Sequence, residues 1–397
     1  NEPMEFDGPD GPVTQNEINS YISFSGQPSR MPTTALSNIL ADGGTGQDVE
    51  SLGLIYEFSQ NPQILDIMIN FTDKFLSLRN DPENGRVMWT GKREFVWCTK
   101  AADADDAGYA GSEGLDTAGK IAYAAYLILK TPCLWEETVT DNDPYNYGKT
   151  YKERAIKYVT EMDKTIDTYY LKYFIHKNDS KIYNPNSSDW LTVKDLPPNS
   201  PMPWNRQQMM TNGFLRVAEC HEILLKYGIG NSSDNKRRID KYFTIIRVSI
   251  DWMVSEFRQK TTDDGIDVYY WSYKEGDKSA ELINIHALYD IWGLYRAWQR
   301  NDKLQLDLKD VMTRMANTMR YVIYLGDNKI SKRIDGTSSA SDKTGNLYGP
   351  WVFYSEFIPD WYEIFINLSQ NKMLTGPRYL GAILWTKNAR ARGKFPT

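Results

Sequence analysis

Residues Ser279–Arg300 read SAELINIHALYDIWGLYRAWQR. At 3.6 residues per turn, Leu282, Ile285, Leu288, Tyr289, Ile291, Trp292, Leu294, Tyr295 and Trp298 fall on nearly every side. The spacing therefore predicts a helix over 279–300 that is packed all round. Inside that apolar cylinder stand Glu281, Asn284, His286 and Asp290. Burying such groups without partners costs about 1–3 kcal/mol each, and more for charges, so they must face a polar cavity or one another. His286 and Asp290, four apart, share a face. The sequence holds 3 histidines, and this one has the setting a site needs. A core histidine bonded to a neighbouring carbonyl explains the same pattern.

Outward from this stretch, similar helices come in pairs. Residues 46–60 and 61–79 form a hairpin, with Asn61-Pro62 as the break and the start of the second helix. The next pairs are 112–130 with 148–174, 204–228 with 234–259, 279–300 with 306–325, and 349–370 with 376–391. In most pairs the first helix is small or apolar all round and the second has one charged face. An inner ring of buried helices inside an outer ring of amphipathic ones predicts an all-α fold, an (α/α) toroid or barrel of six or seven hairpins. Residues 1–397 then form a single domain, in which 1–45 is an N-terminal arm with short helices near 14–25 and 34–40. Short strands at 87–98 and 266–273 decorate the mouth of the barrel.

Composition narrows the partners. A net charge of −6 lacks the basic footprint of a nucleic-acid or anionic-membrane binder. No apolar run reaches membrane-spanning length. Cys98, Cys133 and Cys220 are widely spaced, without a CxxC, and indicate neither a zinc site nor a disulfide framework. The richness is in Tyr (26) and Trp (12), side chains that stack on sugar rings and equally fill helical cores. A chain starting at Asn1 reads as a mature or trimmed form, so we expect a secreted or periplasmic protein, monomer or dimer.

The residues opening the inner helices surround one end of such a barrel. Pro201 to Gln208 (PMPWNRQQ) sets Trp204, Asn205 and Arg206 there, with Asn212 about two turns further on the same face. An N-cap asparagine beside a surface ion pair explains Asn205-Arg206 as well. Tyr348, in Gly345-Asn346-Leu347-Tyr348-Gly349-Pro350, sits on a turn that can present its hydroxyl, with Trp351, Tyr354 and Glu356 beyond. Asp103, Asp105 and Asp106, with Glu113, form an acidic turn without the spacing of a calcium loop. His176 reads as a surface residue and His221 as a structural one.

Helical hairpins over almost the whole chain, aromatic richness, and Asn, Arg, His and Tyr at the mouths of inner helices resemble the α/α-barrel polysaccharide lyases, most of all polysaccharide lyase family thirty-eight. Related lyases often open an inner helix with Asn-His, where this chain has Asn205-Arg206. The resemblance implies metal-independent β-elimination on an acidic polysaccharide of alginate or glucuronan type, with no cofactor. Asn205, with Arg206 or Asn212, would neutralise the uronate carboxylate, and His286 and Tyr348 would move the protons, Tyr348 as acid. Trp204, Arg206, Asn212, Glu281, Asn284 and Tyr354 are the expected substrate contacts. A glycoside hydrolase would instead need two carboxylates about 5–9.5 Å apart, for which Asp105 or Asp106 with Glu281 or Asp290 are the candidates. A non-catalytic glycan-binding protein is the third reading.

Overall fold

The computed structural model describes residues 2–99, 108–190, 196–337 and 347–397. The chain is mostly helical, 57% helix with few short strands, in keeping with the all-α class that the periodicity predicts. Helix α1 (Gln15–Ser25) starts from a capping box: Thr14 accepts from the Glu17 amide while the Glu17 carboxylate takes the Thr14 amide. Next come α2 (Ser37–Ala41), α3 (Gly44–Ser59) and α4 (Pro62–Ser77), the last capped by Asn61 with Pro62 at its first position. Then α5 (Ser112–Leu129) leads to α6 (Tyr151–Thr165), which runs through a π turn into α7 (Leu171–Phe174). Helices α8 (Trp204–Lys226) and α9 (Ser232–Ser255) precede an antiparallel hairpin of β1 (Arg258–Thr261) and β2 (Asp267–Tyr270). Helices α10 (Ile285–Gln299), α11 (Asn301–Leu304) and α12 (Lys309–Asn317) follow, then the small hairpin of β3 (Tyr324–Gly326) and β4 (Lys329–Ile330). A 3-10 helix at Gly349–Glu356, α13 (Trp361–Ser369) and α14 (Pro377–Ala391) close the chain.

The residues fall into two compact units. One comprises Asn1–Gly26, Pro203–Gln208 and Ile250–Thr397, the other Gln27–Met202 and Met209–Ser249. In the second unit α3 packs on α4 and α5 on α6. Every residue of α5 except Tyr126 is buried, whereas α6 keeps a face of Lys152, Glu153 and Lys157 toward water. Each buried Leu or Ile contributes roughly 1.5–3 kcal/mol. At Gly53 a Cβ would run into the ring of Tyr123, so glycine lets α3 approach α5 closely. The charges carried inward are matched: the buried Lys120 ammonium lies 3.2 Å from Asp116 and 3.3 Å from Glu50. His221 is a core residue between Asn235 (2.7 Å) and Asp163 (2.8 Å).

In the first unit a buried ion pair, Glu17 to Lys387 at 2.8 Å, joins α1 to α14. The N-terminal arm is pinned by the Met4 amide donating to the Leu374 carbonyl (2.8 Å) and the Tyr362 hydroxyl donating to the Pro9 carbonyl (2.7 Å). Helix α10 packs on the 3-10 segment and on α12. Its close fit to the first turn of α8 relies on Gly293, where a Cβ would lie 2.6 Å from the Gln208 Oε1.

Four expectations need correction. The helix expected from 279 begins only at Ile285, because residues before it spend their amides elsewhere: Glu281 donates to the Trp271 carbonyl and Ile283 to the Lys332 carbonyl, both at 2.9 Å. The helix expected over 349–370 is two pieces, since Pro359 lacks an amide and pushes the preceding residue out of the helical region. Residues 87–98 form turns, with Met88 in a lone bridge to Gly108, and no ladder. The end of the helix expected over 234–259 is instead β1, recruited by pairing with β2.

Candidate functional site

The polar groups that the sequence places inside 279–300 are sorted by the loop leading to α10. Asn284 is the N-cap: its Oδ1 accepts from the His286 amide at 2.9 Å, so this side chain starts the helix. His286 follows on the first turn, half-buried, its ring 5.4 Å from that of Tyr273. The Tyr273 carbonyl in turn accepts from the Trp204 amide at 3.1 Å. One residue of the β2 exit therefore ties the first turn of α8 to the first turn of α10. Trp204 is itself buried, edge-on to Trp252 at 5.3 Å. Beside it Asn205 is 2% exposed, and its Oδ1 is buried without a hydrogen-bond partner. Arg206 is half-buried on the same turn.

Glu281 and Asp290 are linked through Trp271. The Trp271 carbonyl holds the Glu281 amide at 2.9 Å, and its indole N–H donates to Asp290 Oδ2 at 2.9 Å. Glu281 Oε1 accepts from the Leu282 amide at 2.7 Å. The second oxygen of each carboxyl, Glu281 Oε2 and Asp290 Oδ1, is buried without a partner. Burial pushes the Glu281 carboxyl up to about 7, against the opposing Leu282 amide and Arg333 charge. Burial, then the charge of Glu281, raises Asp290 well above the carboxylate range, and the Trp271 indole opposes this. Two buried acids that hold protons near neutrality, joined through Trp271, can donate them.

Tyr348 opens the 3-10 helix, half-buried, with its ring stacked on Tyr379 (6.1 Å) and the Arg378 guanidinium 5.0 Å from its centroid. Among the described residues its hydroxyl makes no hydrogen bond, so that O–H is uncommitted. Tyr354 differs from expectation. It is fully buried and its hydroxyl donates to the Ile291 carbonyl at 2.5 Å, which assigns it to packing rather than substrate contact. Glu356 likewise is engaged, accepting from the Tyr295 hydroxyl (2.8 Å) and the Trp298 indole (2.6 Å). Asn212 belongs to the second unit, where its Nδ2 donates to Asp116 at 2.6 Å. Asn212, expected as the alternative to Arg206 beside Asn205, thus has its amide N–H committed to Asp116. Asp103, Asp105, Asp106, Gly345 and Asn346 lie outside the described residues.

Trp271, Tyr273, Arg333 and Arg378 had no place in the sequence reading of the site. Trp271 and Tyr273 alternate along a strand-like run, and that period was their one visible signal. Among the described residues no group of three His, Cys, Asp or Glu is arranged to hold a metal ion, and no helix is long and apolar enough to cross a membrane. No protein-family model matches the chain and no curated protein matches its sequence.

Proposed function

We propose that the chain is a polysaccharide lyase that cleaves a uronic-acid-containing polymer by β-elimination, in a secreted or periplasmic setting. The observation that carries this reading is the Tyr273 tie, which joins Trp204 and Asn205, with its unpaired amide oxygen, to the half-buried His286. An unsatisfied buried amide oxygen costs about 1–3 kcal/mol, a cost that a sugar hydroxyl donating to it would relieve. Turned toward a uronate, the Asn205 Nδ2 and the Arg206 guanidinium donate to the carboxylate, offset its charge and so acidify the C5 proton. His286 removes that proton, the C4=C5 double bond forms as the C4–O4 bond breaks, and the Tyr348 hydroxyl protonates the departing oxygen. The (α/α) toroid of six or seven hairpins belongs to the same proposal. It is supported by the sequential pairing of α3 with α4 and α5 with α6, and by the contrast between buried α5 and charged α6.

A second reading, a glycoside hydrolase, is favoured by one observation: Glu281 and Asp290 are both raised acids with an unpartnered oxygen. One experiment separates the two. Elimination on glucuronan or alginate creates an unsaturated uronate that absorbs in the ultraviolet, while hydrolysis releases reducing ends without that absorbance. Reducing ends without absorbance would sink the lyase reading. No chain shortening at all would leave a glycan-binding protein.

A further inference from the structure

The second unit contains a cavity of about 610 Å3, within the roughly 300–1,000 Å3 of small-molecule sites, and none of its lining residues belongs to the candidate site. Its wall is aromatic and braced. The half-buried ring of Tyr173 meets Trp89 edge-on at 5.2 Å, Trp89 meets Trp190 at 5.2 Å, and the Trp89 indole donates to the Tyr169 hydroxyl at 2.7 Å. The rim is cationic. Lys172 and Lys177 are exposed, and among the described residues neither makes an ion pair, Lys172 lying 5.2 Å from the Tyr173 ring. The acidic residue on the lining is Asp189, so two ammonium groups face one carboxylate in a chain of net charge −6.

The remaining polar groups are primary amides. Asn178, Asn186 and Asn199 are exposed, and their side chains make no hydrogen bonds among the described residues. Each offers both a donor and an acceptor, the pairing that adjacent hydroxyls on a sugar require. Behind them Asn184 is 2% exposed, its Nδ2 bonded to Ser200 at 3.0 Å and its Oδ1 buried without a partner. An aromatic wall, three uncommitted amides and two lysines without ion pairs among the described residues match the faces of one ligand class. We propose that this cavity binds an acidic oligosaccharide, its hydroxyls on the asparagines, a pyranose face on Tyr173, and its carboxylates on Lys172 and Lys177. The choice of a uronate rests on the lyase reading, whereas the saccharide pocket does not.

The test is hydrogen-exchange mass spectrometry on the full chain carrying Tyr348→Phe, so that a glucuronate oligomer stays intact if the lyase reading is right. Peptides covering 172–178 and 184–187 should gain protection with the glucuronate oligomer. Glucose oligomers of equal length should protect them at least about tenfold less effectively. A second variant adding Lys172→Ala and Lys177→Ala, both exposed positions, should lose that protection while keeping its melting temperature. No protection of these peptides, or protection unchanged by the lysine substitutions, overturns the pocket. Equal protection by glucose oligomers overturns the acidic specification, and full competition by inorganic phosphate overturns the saccharide. Protection in this assay with no ultraviolet-absorbing product from the parent chain would sink the lyase reading and leave the pocket standing.

Discussion

Arg154 in the second unit and the Glu281–Asp290 pair in the first are buried to similar depth and treated in opposite ways. The Arg154 guanidinium is 0% exposed and every edge is used, on Asp73 (2.7 Å), Asp141 (2.7 Å), Asp143 (3.1 Å) and the Gly148 carbonyl (2.7 Å). Burial alone would raise Asp141, but hydrogen bonds from Arg154, Asp73 and the Asp143 amide, with the Arg154 charge, outweigh it and hold that carboxyl at about 2. Glu281 and Asp290 each receive one N–H and keep one oxygen unpartnered, so burial dominates and their protons stay on. The residue type does not decide the role. Asp73, on the same guanidinium but more deeply buried than Asp141, is pushed up to about 8. A cation at bonding distance therefore outweighs burial only where some solvent or further hydrogen bonds assist, and an acid without one is left available for proton transfer.

The contrast is open to several measurements. The largest effect should come from Tyr348→Phe, which keeps the ring on Tyr379 and removes the uncommitted O–H. We expect turnover on glucuronan to fall on the order of 10²–10⁴-fold with the melting temperature unchanged. Ordinary turnover would remove Tyr348 as the acid. Next, Arg154→Met strands several carboxylates and should cost about 3–5 kcal/mol in urea unfolding, while Asp290→Asn, which replaces an acid already holding its proton, should cost less than about 1 kcal/mol. Equal losses would erase the distinction between the two regions.

A third measurement uses pH. Glu281 holds its proton more tightly folded, at about 7, than unfolded, at 4.5. Its contribution is therefore full below 4.5 and lost as pH rises through 7, up to about 3 kcal/mol. Asp141 runs the other way, from 3.8 unfolded to about 2 folded, so its contribution is present above 3.8 and lost as pH falls through 2. The stability difference between parent and Glu281→Gln should shrink toward alkaline pH, while that for Asp141→Asn stays level between about pH 5 and 8. A level difference for Glu281→Gln would mean that its carboxyl is not raised. The smallest effect should be Asn205→Ala, at least about tenfold in turnover with stability within roughly 1–2 kcal/mol of the parent. A variant that fails to fold would assign Asn205 to the core.

Much of the helical framework was legible because its signals are local. Asn61-Pro62 opens α4, Thr14 with Glu17 opens α1, and the apolar run of α5 marks a helix buried all round. The site was legible in residue type but not in assignment. His286 and Asp290 share a helix, yet Asp290 bonds Trp271, which lies 19 positions before it. Tyr354 reads as well as Tyr348 does from its neighbours, and only packing shows one hydroxyl spent on Ile291 and the other uncommitted.

By itself the sequence determined the helical class, the starts of α1, α4 and α5, and the presence of polar groups that a helical core has to accommodate. Periodicity, caps and proline act within a few residues, so one chain segment suffices to read them. The tertiary structure alone decided that α10 begins at Ile285, that Glu281 and Asp290 meet through Trp271, that Asn212 answers to Asp116, and that a cavity opens beside Tyr173. Each depends on which distant N–H or carbonyl wins a competition for a buried partner, and that competition is settled only when the segments are packed.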